Sequence, residues 1–181
     1  SASNPYKINT KADIIELSTR SDNGNDLGAH FIQTANITLN ADETQEDWDG
    51  DGTADGNSTP GFNPIGDEAN DAEFHGFYDG QNYYIENLYI NSSDNNVGLF
   101  YQLDVNQGGG VDPQIKNLTL KGADITSSGN NIGGFVGYTM GAILENLHVD
   151  NNSNIVGNDD VGGIVGDNNN SGNTTNESLR L

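Results

Sequence analysis

The densest chemistry in this chain lies in the run Asp47-Trp48-Asp49-Gly50-Asp51-Gly52-Thr53-Ala54-Asp55. Counted from Asp47, carboxylates fall at positions 1, 3, 5 and 9, glycine at 6 and the Thr53 carbonyl at 7. That is the spacing of a calcium loop of the EF-hand and dockerin type. Ca²⁺ takes roughly six to eight hard oxygen ligands, and the glycine lets the chain turn sharply around the ion. Acidic side chains at alternate positions repel one another until a cation reverses the sign of their interaction. The expected site is therefore Ca²⁺ held by Asp47, Asp49, Asp51, Asp55 and the carbonyl of Thr53. Position 12 is Ser58 rather than the usual bidentate Glu, with Asp42, Glu43 or Asp67 as replacements, and no flanking helices are indicated. The alternative is a solvated acidic loop without metal.

Other chemistry finds little footing. His30, His75 and His148 are scattered, and the chain has no Cys, no Gly-x-Ser-x-Gly and no His-Glu-x-x-His, so neither nucleophilic nor zinc-protease catalysis is signalled. Carboxylates abound, but no spacing selects a glycosidase pair, and Lys11, Arg20, Lys116 and Lys121 form no cationic cluster. The chain is expected not to be an enzyme. With 27 acidic against 6 basic residues, the net charge is −21; such a surface repels nucleic acid and anionic membranes alike. It favours solubility in saline surroundings and attracts divalent cations. No segment approaches the roughly 18 apolar residues of a membrane-spanning helix, so no membrane insertion is expected. The opening at Ser1 lacks a signal-peptide pattern, as expected of a mature or trimmed chain. Asn-x-Ser/Thr triplets occur at Asn36, Asn91 and Asn117 among others, as so Asn-rich a composition produces by itself.

The elements that must position this chemistry repeat. Ile85-Glu86-Asn87-Leu88-Tyr89-Ile90 is echoed by Ile115-Lys116-Asn117-Leu118-Thr119-Leu120 and by Leu144-Glu145-Asn146-Leu147-His148-Val149. Behind them come Val97-Gly98-Leu99-Phe100, Ile132-Gly133-Gly134-Phe135-Val136-Gly137 and Val161-Gly162-Gly163-Ile164-Val165-Gly166. A period near 30 residues, from Asn87 to Asn117 and on to Asn146, marks a repeat architecture. Each phrase suits a short buried strand, and stacked coils would share one core. The expected fold is all-β, a parallel β-solenoid or β-helix with roughly 30-residue coils. Asn87, Asn117 and Asn146 are expected along one corner, where their amides satisfy backbone groups and stack on one another. Ile85, Leu88, Ile115, Leu118, Ile132, Leu147 and Val161 are expected in the core. The slot shared by Tyr89, Thr119 and His148 is expected to face outward. Glycine pairs fit where backbones turn or approach closely.

These phrases resemble the GLUG repeat, named for its Gly-Leu-aliphatic-Gly phrase and found in secreted and surface proteins of bacteria, including large adhesins and some peptidases. The resemblance covers residues 74–166. Upstream, Asn4-Pro5-Tyr6-Lys7-Ile8, His30 to Ile37, Gly61 to Gly66 and Phe74 to Gly80 resemble the leader of such repeats in exported proteins of marine bacteria. The departures are Phe100-Tyr101 in place of a Gly, and Phe135 and Ile164 in place of Leu. The resemblance implies an extracellular or cell-surface location.

Residues 1–40 read as a cap containing a helix, with Thr10 as its N-cap, an acid at Asp13, and an apolar stripe of Ile14, Ile15 and Leu17 reaching to about Arg20. A solenoid needs its first coil covered, because an exposed coil end is a sticky edge. The expected organisation is one domain over 1–181: the cap, an acidic calcium-type loop and leader over 41–73, coils over 74–166, and a tail or further coil over 167–181. The uncapped ending leads to the expectation that the native protein continues. Phe74, Phe77, Tyr83 and Tyr84 are expected to pack the leader against the first coil rather than to bind sugar. The functional reading is a structural or adhesive surface module, or filament subunit, stabilised by calcium and partnered by other surface domains or by copies of itself. One alternative is a module that binds or degrades glycans. Another is an ice-binding solenoid, which needs a regular Thr rank that Tyr89, Thr119 and His148 do not form.

Overall fold

The structure, a computed structural model, describes residues 3–21, 27–39, 61–66, 72–104 and 112–169. Strand β1 (Tyr6–Ile8) leads into helix α1 (Lys11–Ser21). The helix starts where the sequence places it. Asp13 N donates to Thr10 Oγ1 at 3.2 Å, and Thr10 N and Asn9 N donate to Asp13 Oδ2 at 2.8 Å each. This reciprocal capping box satisfies amides that a helix start leaves without intrahelical partners. Partial burial pushes the Asp13 carboxyl upward, but the amides of Asn9 and Thr10 and the Thr10 hydroxyl hold it below its ordinary value. Ile14, Ile15 and Leu17 are buried, so the apolar stripe lies against the core.

The rest is β-structure. The main sheet has the order β1, β2 (His30–Gln33), β4 (Phe77–Glu86), β7 (Gln114–Lys121), β11 (Ile143–Val149), with β3 (Ile37–Thr38) on the far half of β4. A second sheet aligns β5 (Tyr89–Ser92), β8 (Asp124–Ser127) and β12 (Asn154–Val156). A third aligns β9 (Asn130–Gly133) and β13 (Asp159–Gly162), and a fourth β6 (Phe100–Asp104), β10 (Val136–Met140) and β14 (Val165–Asn168). Every pairing between these strands is parallel. Parallel neighbours require a long crossover; α1 supplies it between β1 and β2, and from β4 onward the chain visits the other sheets before it returns to the first.

Inward side chains stack by row. Phe31, Tyr78, Ile115 and Leu144 form one row and Ile37, Ile85, Leu120 and Val149 another. The aromatic core runs through Phe31, Phe74 and Phe100, with Phe74 and Phe100 centroids 4.9 Å apart and Tyr78 edge-on to Phe100. The leader thus packs on the first coil as expected, although its four aromatics do not cluster: Phe74 is buried while Phe77, Tyr83 and Tyr84 are half-buried. Tyr78 carries its hydroxyl into the core and donates to Gln33 Oε1 at 3.2 Å, while Gln33 Nε2 donates to the carbonyls of Ala35 and Tyr84. Burial pushes the Tyr78 phenol far above its ordinary value. The glycine phrases mark close approach, since a Cβ on Gly133 would lie 2.2 Å from Val136 O and one on Gly137 2.0 Å from the Asn96 carbonyl carbon.

Two expectations are corrected. The first concerns register. Tyr83 pairs with Leu118, Ile85 with Leu120 and Tyr89 with Asp124, so the first coil is 35 residues long and its phrase at 85–90 is displaced by five from the later two. Asn87 therefore does not share a corner with Asn117. Its backbone N–H donates to Lys121 O at 2.9 Å, which sets it beside Gly122 at the next corner, where both have positive φ. The second concerns Val161, which is 48% exposed whereas Ile132 in the same row is fully buried. Among the described residues β13 pairs on one side alone. Ile85, Leu88, Ile115, Leu118, Ile132 and Leu147 are buried as expected.

Candidate ligand-binding face

The corners come first, because they fix everything on the sheets between them. Asn82, Asn117 and Asn146 meet at one corner of the main sheet, with φ of 64°, 53° and 51°. Asn tolerates this left-handed backbone better than most residues because its short amide bonds locally. Asn146 Nδ2 donates to Asn117 Oδ1 at 3.0 Å and to Asn82 Oδ1 at 3.3 Å, and Asn117 Nδ2 donates to Asp79 Oδ1 at 3.0 Å. Similar rungs join Asn131 to Asn96, Asn154 to Asp124 and Asn158 to Asn130. In every rung the amide of the later coil donates to an oxygen of the earlier one. The corner reading of Asn117 and Asn146 therefore holds, with Asn82 in the place assigned to Asn87.

The solvent side of the main sheet follows from the alternation of its strands. One outer row runs His30, Phe77, Gln114, Ile143; the next runs Ile32, Asp79, Lys116, Glu145; a third runs Tyr84, Thr119, His148. Tyr84, not Tyr89, is thus the partner of Thr119 and His148. His30 and Phe77 stack at 4.4 Å with planes 7° apart. Lys116 Nζ lies 3.5 Å from Asp79 Oδ2, and Lys121 Nζ lies 3.7 Å over the Tyr84 ring centroid, a cation–π contact. Gln81 N also donates to Asp79 Oδ1 at 3.0 Å, across the irregularity of β4 between Asp79 and Tyr83. Partial burial pushes the Asp79 carboxyl upward, but the Asn117 amide, the Gln81 N–H and the Lys116 charge hold it below its ordinary value. An open depression of about 400 Å³ lies over the first two rows and is bounded at one end by Pro5.

The calcium ligands expected at Asp47, Asp49, Asp51, Thr53 and Asp55 lie outside the described residues. Among the described residues no three His, Asp or Glu side chains gather in a metal-binding arrangement, and no helix is long and apolar enough to cross a membrane. Sequence reasoning missed Asp79, Gln114 and Lys116 as neighbours. Period-two alternation signals that they face outward, but their juxtaposition depends on the register of the first coil.

Comparison with known proteins agrees with the repeat. The chain is 32% identical over 169 residues to halomucin of Haloquadratum walsbyi, covering 92% of this chain and 2% of that protein. It is 29% identical over 150 residues to a putative Gly-rich membrane protein of Evansella cellulosilytica, covering 81% of this chain and 14% of that protein. The chain thus spans a small fraction of either relative's length. No solved structure gives a significant match. The family known as the GLUG motif matches residues 128–156, the stretch from the turn before β9 to the end of β12, which is one passage through all four sheets. The chain carries a GLUG motif.

Proposed function

We propose that this chain is a structural module of an extracellular or cell-surface protein: a β-solenoid whose sheets enclose one core and whose stacked coils form a short acidic rod. The observation that carries this reading is the parallel register, in which strands of four sheets each meet their counterparts one coil away. Such a fold is quasi-one-dimensional, so coils add length without a new core. The net charge of −21 suits a saline, calcium-bearing exterior. The relatives, of which this chain resembles a small part, support membership of a longer protein with other domains. The module is non-catalytic in this reading, and its partners are neighbouring surface domains or further copies.

Calcium belongs to the proposal on the spacing of Asp47, Asp49, Asp51, Thr53 and Asp55. Without the position-12 Glu, affinity is expected on the order of 10⁻⁴–10⁻³ M, which an extracellular medium fills and a cytosol does not. A thermal melt with millimolar Ca²⁺ is expected to lie above one with chelator by mass action, and Asp49→Ala to remove the difference. Equal melting temperatures in both conditions, with no heat of binding, would remove calcium from the reading. For location, protease treatment of intact source cells is expected to cleave the protein, and full protection would reject a surface site.

A further inference from the structure

We infer that the outer face of β2, β4 and β7 binds a neutral saccharide in the open depression over His30, Phe77 and Asp79. The depression is about 400 Å³, within the range of roughly 300–1,000 Å³ for small-molecule sites. Its apolar surface is Pro5, Ile32 and the His30 ring stacked on Phe77 at 4.4 Å. Its polar groups are Gln114, in the row of His30 and Phe77, and Asp79 and Lys116 in the next row. A sugar ring carries both kinds of surface, a C–H face that suits aromatic and proline surface and a rim of hydroxyls that both donate and accept. The polar groups answer that rim with an acceptor-only carboxylate, a donor-only ammonium and an amide that does both.

Charge selects within the saccharides. Asp79 and Lys116 neutralise each other at 3.5 Å, so the depression is locally balanced on a chain of net charge −21. An anionic ligand meets Asp79 and the field of the whole protein, and a cation meets Lys116. A neutral polyol meets neither penalty. Asp79 is also preorganised, fixed by Asn117 Nδ2 and Gln81 N and paired with Lys116, while Gln114 stands in register with Phe77. Preorganisation lowers the ordering cost of binding. Because the depression is open, single-site affinity is expected near the millimolar range, or about −4 kcal/mol.

The test uses the full chain and a panel of probes: the methyl glycosides of glucose, galactose and mannose, N-acetylglucosamine, and their linear oligomers, with glucuronate and inorganic phosphate as anionic comparators. Amide chemical shifts are followed in each titration. At least one neutral saccharide is expected to bind and to move the amides of Phe77, Asp79 and Gln114. Phe77→Ala and Gln114→Ala are each expected to weaken it about tenfold or more, while Thr126→Ala on the second sheet leaves it unchanged. Gln114 is half-exposed, so that variant keeps the test sound if Phe77→Ala fails to fold. The inference is overturned by any of three results: no panel member binds, an anionic comparator binds more tightly, or binding survives Gln114→Ala undiminished. Sedimentation as a dimer that Phe77→Ala returns to a monomer would overturn it as well. The outcome is independent of calcium and of cell-surface location, so failure here leaves the structural reading standing.

Discussion

The coil that runs from β7 through β10 and the coil that runs from β11 through β14 carry nearly the same phrases, and they are buried very differently. Ile132 is fully buried where Val161 is 48% exposed. Phe135 and Ile125 are fully buried, whereas Ile164 and Ile155 are half-buried against the same cluster. In the earlier coil β7, β8 and β10 have strand neighbours on both sides, and Ile132 of β9 pairs with Val161 on one side and bridges to Val97 on the other; among the described residues the later coil is paired on one side alone. The pattern within a coil decides which side chains turn inward. How much each contributes is decided by the coils above and below, as expected where stability is a sum of neighbour terms.

Substitutions can break that comparison in order of size. Phe135→Ala is expected to cost about 3–5 kcal/mol, and Ile164→Ala in the later coil about 1–2 kcal/mol; equal losses in chemical denaturation would show that neighbours do not set the difference. Leu118→Ala should cost about 2–5 kcal/mol, because a cavity between two coils cannot close from either side. A loss below about 1 kcal/mol would mean that the coil is not stacked. At the corner, Asn117→Ala combines left-handed strain of about 1–2 kcal/mol with lost hydrogen bonds of about 0.5–1.5 kcal/mol each. Asn117→Gly keeps the backbone freedom and loses only the bonds, so it should fall between wild type and Ala; the reverse order would place the corner's cost elsewhere.

The smallest expected effect is on pH. Asp79 and Asp150 both have carboxyls held below the ordinary value, Asp150 by the Gly122 N–H and the Ser153 hydroxyl. For a depressed carboxyl the contribution is fully present above the unfolded value near 3.8 and is lost as pH falls through the lower folded value. Stability should therefore be flat above about pH 5 and decline below about pH 4. Asp79→Asn should flatten the acid limb more than Asp150→Asn, since the Lys116 charge lowers Asp79 in addition to its hydrogen bonds, whereas hydrogen bonds alone lower Asp150. An unchanged acid limb in Asp79→Asn would remove Asp79 from the acid response.

Much of this was legible from sequence. Thr10 and Asp13 announced the capping box, and the glycine phrases gave the row of Val97, Ile132 and Val161 correctly. The slip came where two identical-looking phrases were not equivalent. Asn87 and Asn117 are 30 residues apart and match by eye, but the true partners Tyr83 and Leu118 are 35 apart, because the first coil is longer and β4 is irregular after Asp79. Periodicity weighs phrases, and an insertion between them leaves no apolar mark. The outer rows inherit that ambiguity, which is why His30, Phe77, Asp79 and Lys116 could not be brought together without coordinates. Val161 illustrates a different limit, since burial at a coil end depends on what lies beyond it.

The direction of the corner rungs has a consequence in time rather than in space. Asn slowly hydrolyses to Asp or isoaspartate, and a carboxylate only accepts hydrogen bonds. Asp79 and Asp124 stand at the accepting end of their rungs, where a carboxylate costs nothing. Conversion of Asn117 would instead set a second carboxylate against Asp79 and remove the donor that links the two coils. Ageing at a donor position therefore unzips a rung and adds like charge across it, whereas the same event at Asn82, which accepts from Asn146, leaves that bond in place. The long-term durability of these stacked strands is thus written into which corner residues donate hydrogen bonds and which accept them.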